Sequence, residues 1–347
     1  MRLGLNIAFV LGGGDHLQHL TVVQEAERLG YSVAWNAEAY GSDSPTVLAW
    51  LAAQTTTIDL GSAVFQIPAR TPAATAMTAA TLDTLSGGRF RLGLGISGPQ
   101  VSEGWHGVRF DKPLARTREY VEIVNAAMRR ETVRYEGKHF TLPLPDGPGK
   151  PLKLSIHPVR DHVPVYLAAV GPKNLELAGE IADGWLGIFN DPSFLAQQLE
   201  HVRAGRGGDL TGYDVVASVP TVVGDDLQAC ADPIRGYAAL YIGGMGSREK
   251  NFYNDLAVRM GYPDEAKIIQ DFYLDKQYRN AMAAVPFDFI DRVSLIGPKE
   301  RIAEKLTGYA EAGVTTLALT PFESDVDGRI ATLRIVAEAF DLAGLGD

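Results

Sequence analysis

The chain has 347 residues, 46% of them hydrophobic and 21% charged, the make-up of an ordinary globular protein that buries a large core. Its net charge of -10 argues against nucleic-acid and anionic-membrane partners, which need a basic face against phosphate; no clustered Lys/Arg run supplies one. With one cysteine, Cys230, neither an internal disulfide nor a cysteine-rich metal centre is expected.

The amino end lacks the apolar core of a signal peptide, and no apolar run approaches the roughly 20 residues of a membrane span, so a cytoplasmic setting is expected. Arg2 to Val10 reads as a first strand, Gly12-Gly13-Gly14 as a loop, and Asp15 as the N-cap of a helix that Gly30 stops. Tyr31 to Asn36 is a second strand. Its exit carries Glu38 at a strand's carboxyl end, where parallel α/β folds hold ligands.

Pro45 to Thr55 and Pro72 to Leu85 read as helices almost free of charge. A helix that is apolar all round must be covered on both sides, which predicts that these two pack against a second subunit. Ile58 to Phe65 is the third strand, running into Gln66 to Arg70, and Phe90 to Ile96 is the fourth. Gly93 to Gly98 has the G-x-G-x-x-G spacing, but in the dinucleotide fingerprint the glycines open a helix. Here Pro99 to Gly107 reads as continuing loop, so that reading is rejected.

Lys112-Pro113 opens a helix to Arg130, with Val121, Val124 and Met128 on one face and Arg118 and Glu122 spaced for pairing. Thr132 to Leu142 reads as a hairpin and Pro143 to Lys150 as a Pro/Gly-rich excursion. Pro164 to Ala169 is the fifth strand. After it, Gly171 and Pro172 at a helix start leave backbone N–H groups facing the strand end, the geometry that binds a phosphate. Trp185 to Phe189 and Tyr213 to Val223 are strands six and seven, and Asp225 to Arg279 is mostly helical, longer than one crossover needs. A helix follows Ser294 to Gly297; Val314 to Leu319 is the eighth strand and Ile330 to Leu342 the last helix. Eight strands alternating with helices predict a (β/α)8 TIM barrel over 1–347 as one domain, with insertions about 97–113, 132–160 and 243–290. A doubly wound sheet is the second architecture.

Four stretches carry a family resemblance: Leu60 to Val64; Asp83 to Gly95 with its Ser86-Gly87-Gly88-Arg89-Phe90 centre; Ser97 to Val101 with Glu103 to Gly107; and Ala168 to Asn174. In this order and spacing the chain resembles the luciferase-like monooxygenase superfamily, in the branch that uses the deazaflavin coenzyme F420 in place of FMN. The resemblance runs from Leu3 to about Phe340.

It implies a non-prolyl cis peptide at Ala63–Val64 against the cofactor ring, with Glu38, Ser62, Ser97 and Gly98 also lining it. Ala169, Val170, Gly171 and Asn174 would take the phosphate end of the tail. The implied reaction is hydride transfer between F420 and a small organic substrate, the protein supplying orientation and a proton donor. Many relatives place a histidine after the acid in the second-strand loop, whereas Glu38 precedes Ala39. The catalytic candidates are therefore Glu38, Glu103 and His106.

Trp35 and Trp105 are candidates to wall the ring, or plain core. Arg70 and Lys173 could attract an anionic tail. His16 and His19 lie three apart, but no third ligand has metal spacing, so no metal is expected. The substrate pocket is expected from the Gly12 to His19 loop, the stretch after Pro99 and the segment Gly243 to Tyr278, in a homodimer. Alternatives are an FMN-dependent monooxygenase of the same fold and a non-catalytic flavin-binding barrel.

Overall fold

In the computed structural model, which describes residues 1–7 and 16–346, eight parallel strands close into a barrel. They are β1 (Arg2–Ile7), β2 (Val33–Asn36), β3 (Asp59–Ser62), β4 (Phe90–Gly95), β5 (Val165–Ala168), β6 (Gly184–Gly187), β7 (Asp214–Val223) and β8 (Thr316–Pro321). Closure is made by β8 returning to β1, with Leu3 opposite Leu317. The sheet is therefore a (β/α)8 barrel and not a doubly wound sheet. Two short strands lie beside it: Phe65–Gln66 pairs with β4, and Leu295–Gly297 pairs with the far end of β7.

The helices are α1 (His16–Arg28), α2 (Ser44–Ala52), α3 (Pro72–Leu85), α4 (Pro99–Gly104), α5 (Pro113–Met128), α6 (Pro172–Ile181), α7 (Pro192–Arg206), α8 (Leu227–Ala239), α9 (Phe252–Arg259), α10 (Pro263–Leu274), α11 (Tyr278–Ala283), α12 (Phe287–Arg292), α13 (Lys299–Glu311) and α14 (Val326–Leu342). The expected loop of Gly12 to Gly14 and the cap at Asp15 lie outside the described residues.

Strand alternation divides the core. Leu3, Leu5, Leu92, Leu94, Val215 and Leu317 point outward into the helix layer, while Val33, Trp35, Tyr166, Val216 and Ala318 pack inside the barrel. Trp35 fills that interior with its ring edge on Tyr166, centroids 5.0 Å apart. A Cβ on Gly61 would lie 2.2 Å from Trp35 Cε3, so β3 needs a glycine where β2 carries tryptophan. At the amino ends of the strands, Arg91 joins Asp59 (2.7 Å) and Asp214 (3.0 Å), and Asp214 accepts from Thr316 Oγ1 (2.8 Å). This buried ionic lattice ties β3, β4, β7 and β8 at the end away from the site.

Three local expectations are corrected. Pro99–Gly104 is a short helix, not loop: Gly98 takes extended backbone at the N-cap and Pro99 sets the first turn, and six residues are too few to display periodicity. Arg118 does not pair with Glu122 but with Glu180 of α6 (2.7 Å), while Glu122 accepts from Tyr135 Oη. Arg118 thus exchanges a contact within α5 for one between α5 and α6. The helical excursion after β7 begins at Leu227 and runs to Arg292, around a separate core of Ala231, Ile234, Leu256, Ile269 and Phe289.

The other excursion is tied to α3. Asp83 is fully buried and accepts from the backbone N–H of Val159 (2.8 Å) and Arg160 (3.1 Å) and from the Arg160 guanidinium (2.6 Å). The only charged residue of α2 and α3 thus faces inward. Outside, α3 exposes Ala73, Ala74, Thr81 and Thr84 with Met77 (58%) and Leu85 (55%).

Candidate functional site

Glu38 follows β2 and has a nearly buried side chain, 7% exposed. Its Oε2 accepts from Arg70 Nη1 (2.6 Å) and Gln66 N (3.2 Å), and its Oε1 from Arg70 Nη2 (2.7 Å) and Ser44 N (3.2 Å). A carboxylate has about four lone-pair positions, and each meets a donor. Arg70 also binds Asp43 (2.7 Å) and lies over the Phe65 ring, 5.1 Å from its centroid. Glu38 is thereby a bolt between the exits of β2 and β3, and Arg70 is engaged by acids of its own chain.

At the end of β3, buried Ser62 donates to Gly93 O (2.8 Å) and accepts from Gly93 N (2.9 Å), fixing β3 on β4. The next peptide, Ala63–Val64, is cis. Ala63 N donates to Asn36 O (2.8 Å), and a Cβ on Gly95 would come within 2.5 Å of Val64 Cγ2. Gly95 is what lets this bulge lie against β4.

Past β4, Ser97 takes left-handed backbone (φ 58) and Gly98 opens α4. His106 follows α4, and its Nε2 lies 2.9 Å from Gln66 Oε1; with the amide oxygen accepting, the neutral ring carries its proton on Nε2. Contacts then run unbroken from His106 through Gln66 and Glu38 to Arg70, joining the exits of β4, β3 and β2. Glu103 is exposed and accepts from Phe110 N (3.0 Å), which braces its own loop. Trp105 stands in solvent, 66% exposed, whereas Trp35 is buried below the mouth.

Past β5, Ala169 O accepts from Trp185 Nε1 (2.8 Å) and Asn174 Nδ2 donates to Ala168 O (3.4 Å). Gly171 caps α6, and a Cβ there would meet nothing within 4 Å. Open space therefore stands before the first turn of α6, where Pro172 has no N–H, Asn174 N donates to Gly171 O (3.0 Å) and the N–H of Lys173 has no intrahelical partner. Lys173 pairs with Glu176 (3.2 Å) on the outside. A second cation reaches this loop, Arg259 of α9, which donates to Val170 O (3.0 Å). Sequence reasoning missed it because it arrives from the helical excursion, and nothing in the sequence relates it to β5.

The same excursion reaches the other exits. Met245 O would lie 3.4 Å from a Cβ on Gly98, Phe252 meets Phe110 at 6.2 Å, and Tyr237 meets Phe322 after β8 at 5.7 Å. Among the described residues no group of three or more His, Cys, Asp or Glu could hold a metal ion, and no helix is long and apolar enough to cross a membrane.

A closed parallel barrel whose β3, β4 and β5 exits share one rim beneath a helical cover is an α/β barrel, a fold whose sites are built at the carboxyl mouth. Residues 1–316 match the family model described as luciferase-like monooxygenase, and the chain belongs to that family. Over 330 residues it is 41% identical to a Mycobacterium tuberculosis protein named as a coenzyme F420-dependent oxidoreductase, Rv3520c, covering 92% of this chain and 95% of that one. The fold is similar to that of the coenzyme F420-dependent tetrahydromethanopterin reductase of Methanopyrus kandleri, with a TM-score of 0.82 at 23% identity and 97% of each chain covered. It is also similar to that of an F420-dependent secondary alcohol dehydrogenase solved with an F420–acetone adduct, with a TM-score of 0.77 at 19% identity, covering 100% of this chain and 99% of that one.

Proposed function

We propose that this protein is a coenzyme F420-dependent oxidoreductase that transfers a hydride between the deazaflavin and a small organic substrate. The observation that carries the reading is the common rim formed by the exits of three successive strands: the Ala63–Val64 bulge, the Ser97–Gly98 turn and the open space at Gly171. The relative at 41% identity, named for the same cofactor along nearly its whole length, supports it.

The residues present fit the group. Ala63, Val64, Ser97 and Gly98 offer backbone and small side chains to a flat ring, with Ser62 and Glu38 fixing them from behind. Ala169, Val170 and Gly171 lead into α6, where Asn174 sits in the first turn, and the Lys173 N–H at this helix start together with Arg259 suits the phosphate of a tail. When bound, the coenzyme supplies the hydride chemistry.

The chain's own residues supply position and a proton. His106, half-buried with its Nε2–H held by Gln66 Oε1, is the proton donor through the Nδ1–H of its doubly protonated ring. Glu38, with its lone pairs engaged, positions Gln66 and the bulge, and Glu103 holds the loop that carries His106. General acid catalysis contributes about 10²–10⁴-fold, so His106→Asn is expected to lower kcat by that range while F420 affinity stays within about two-fold. A kcat unchanged by the substitution removes His106 from this role.

The whole 1–347 stretch works as one barrel unit, paired into a homodimer in the cytoplasm. The uncharged outer face of α3, with Met77 and Leu85 exposed, is the surface we assign to the partner copy, together with α2. Light scattering of Met77→Glu/Leu85→Glu tests it: wild type is expected at twice the chain mass and the variant at one. A wild-type monomer contradicts the assignment.

A further inference from the structure

Three tyrosines of the helical cover meet over the barrel mouth. Tyr237 of α8, Tyr241 of the π-turn Leu240–Gly244 and Tyr253 of α9 are half-buried. Their rings are in sequence, with centroids 4.7 Å apart from Tyr237 to Tyr241 and 4.8 Å from Tyr241 to Tyr253. Phe189 from the β6 exit sets its ring edge on Tyr237 (5.6 Å) and Tyr241 (5.9 Å), and Phe322 from the β8 exit meets Tyr237 (5.7 Å). These partners place the cluster at the carboxyl mouth. Phe189 holds left-handed backbone (φ 50) while its ring is buried, a conformation uncommon for a bulky residue.

A buried phenol normally finds a partner. Elsewhere in the molecule Tyr31 Oη donates to Leu333 O, Tyr166 Oη to Asp214 and Tyr309 Oη to Asn190 O. The hydroxyls of Tyr237, Tyr241 and Tyr253 have no hydrogen-bond partner among the described residues, and they are not sealed off as that of Tyr213 is. Burial pushes all three phenols up, Tyr253 to about 12, so near neutral pH they are uncharged donors. Among the described residues no cation lies over these three rings.

We propose that Tyr237, Tyr241 and Tyr253 form the substrate-recognition wall, and that it takes a flat, uncharged molecule whose carbonyl oxygen accepts hydrogen bonds from these phenols. Aromatic walls favour a planar apolar body. Three hydroxyl groups, each with a hydrogen to donate, suit a carbonyl oxygen, which only accepts. A carboxylate would lose its water here, and among the described residues no cation lies over these three rings to offset that cost. The assignment rests on the oxidoreductase reading and names the substrate class of that site.

The test uses the full-length protein loaded with F420 and measures calorimetric binding of acetophenone and 2-cyclohexen-1-one against ethylbenzene, cyclohexene and benzoate. The carbonyl probes are expected to bind about ten-fold more tightly than the matched hydrocarbons, the scale of one net hydrogen bond. In Tyr237→Phe/Tyr241→Phe/Tyr253→Phe the preference is expected to fall to within about two-fold, with each single variant losing part of it and hydrocarbon binding and Tm unchanged. No carbonyl preference, a preference that survives in the triple or in all three single variants, or tighter binding of benzoate overturns the proposal. Spectral titration with F420 on the same samples separates the two readings. Normal cofactor binding without carbonyl preference overturns the tyrosine wall alone, and carbonyl preference without cofactor binding overturns the F420 reading alone.

Discussion

Arg70 and Glu38 are knotted at the rim by two guanidinium bonds of 2.6 and 2.7 Å on a nearly buried carboxylate. Removing one partner of a buried pair costs about 3–5 kcal/mol because the other charge is stranded. Arg70→Met is expected to lose stability on that scale in denaturant unfolding, and Arg70→Met/Glu38→Gln to recover most of it; equal losses in the two variants contradict the bolt. The sequence pointed to Glu38 through its place at a strand's carboxyl end. It could not tell that Arg70, which reads equally well as a ligand for an anionic tail, would fold back onto that acid. A pairing across two loops has no periodicity, so it leaves no trace in the order of residues. His106 was legible as a titratable group near the fourth strand's exit, but its partner Gln66 was not, for the same reason.

Single carboxylates also tie elements together. Burial opposes ionisation of Glu119, but the backbone N–H groups of His139 (2.8 Å), Lys138 (2.9 Å) and Phe140 (3.1 Å) hold its pKa below the usual 4.5. Burial likewise opposes ionisation of Glu27, and the N–H groups of Thr57 (2.6 Å), Ile58 (3.0 Å) and Thr56 (2.7 Å) lower its pKa. An acid depressed in the folded state contributes stability above its unfolded pKa and loses it as pH falls through the folded value. Unfolding free energy is therefore expected to drop below about pH 4.5, and Glu27→Gln/Glu119→Gln to show a shallower drop; identical slopes contradict the clamps. Arg160 on Asp83 does the same for the excursion against α3. Arg160→Met is expected to expose residues 151–163 to limited proteolysis while the barrel resists, and an unchanged digestion pattern contradicts that tie. The eight strands were legible as short apolar runs between turn signals, and the long helices by their length and their capping residues. The short α4 was not, and α5 hid its true partner because an acid four residues from Arg118 satisfies the local spacing while Glu180 does so in space.

For the molecule as a whole, the decisive feature is the division of labour between the barrel's ends. The Arg91 lattice closes the amino end, and loops of adjacent strands and a separate helical cover enclose the carboxyl mouth. The barrel and the bulge at the third strand's exit could be read from sequence, since glycines and strand exits are local signals. The cover could not, because Arg259, Met245 and Tyr237 reach the rim from helices whose docking nothing in the chain order specifies. The central claim is that the β3, β4 and β5 exits jointly hold F420. It is tested most directly by titrating the purified protein with F420 and, separately, with FMN, then following anaerobic and aerobic oxidation of the reduced complex. The account predicts saturable F420 binding that weakens about ten-fold or more in Gly171→Leu, where a side chain enters the open space before α6, with turnover on a carbonyl acceptor and no oxygen consumption. Preferential FMN binding with oxygen uptake, or F420 binding indifferent to Gly171→Leu, would contradict it.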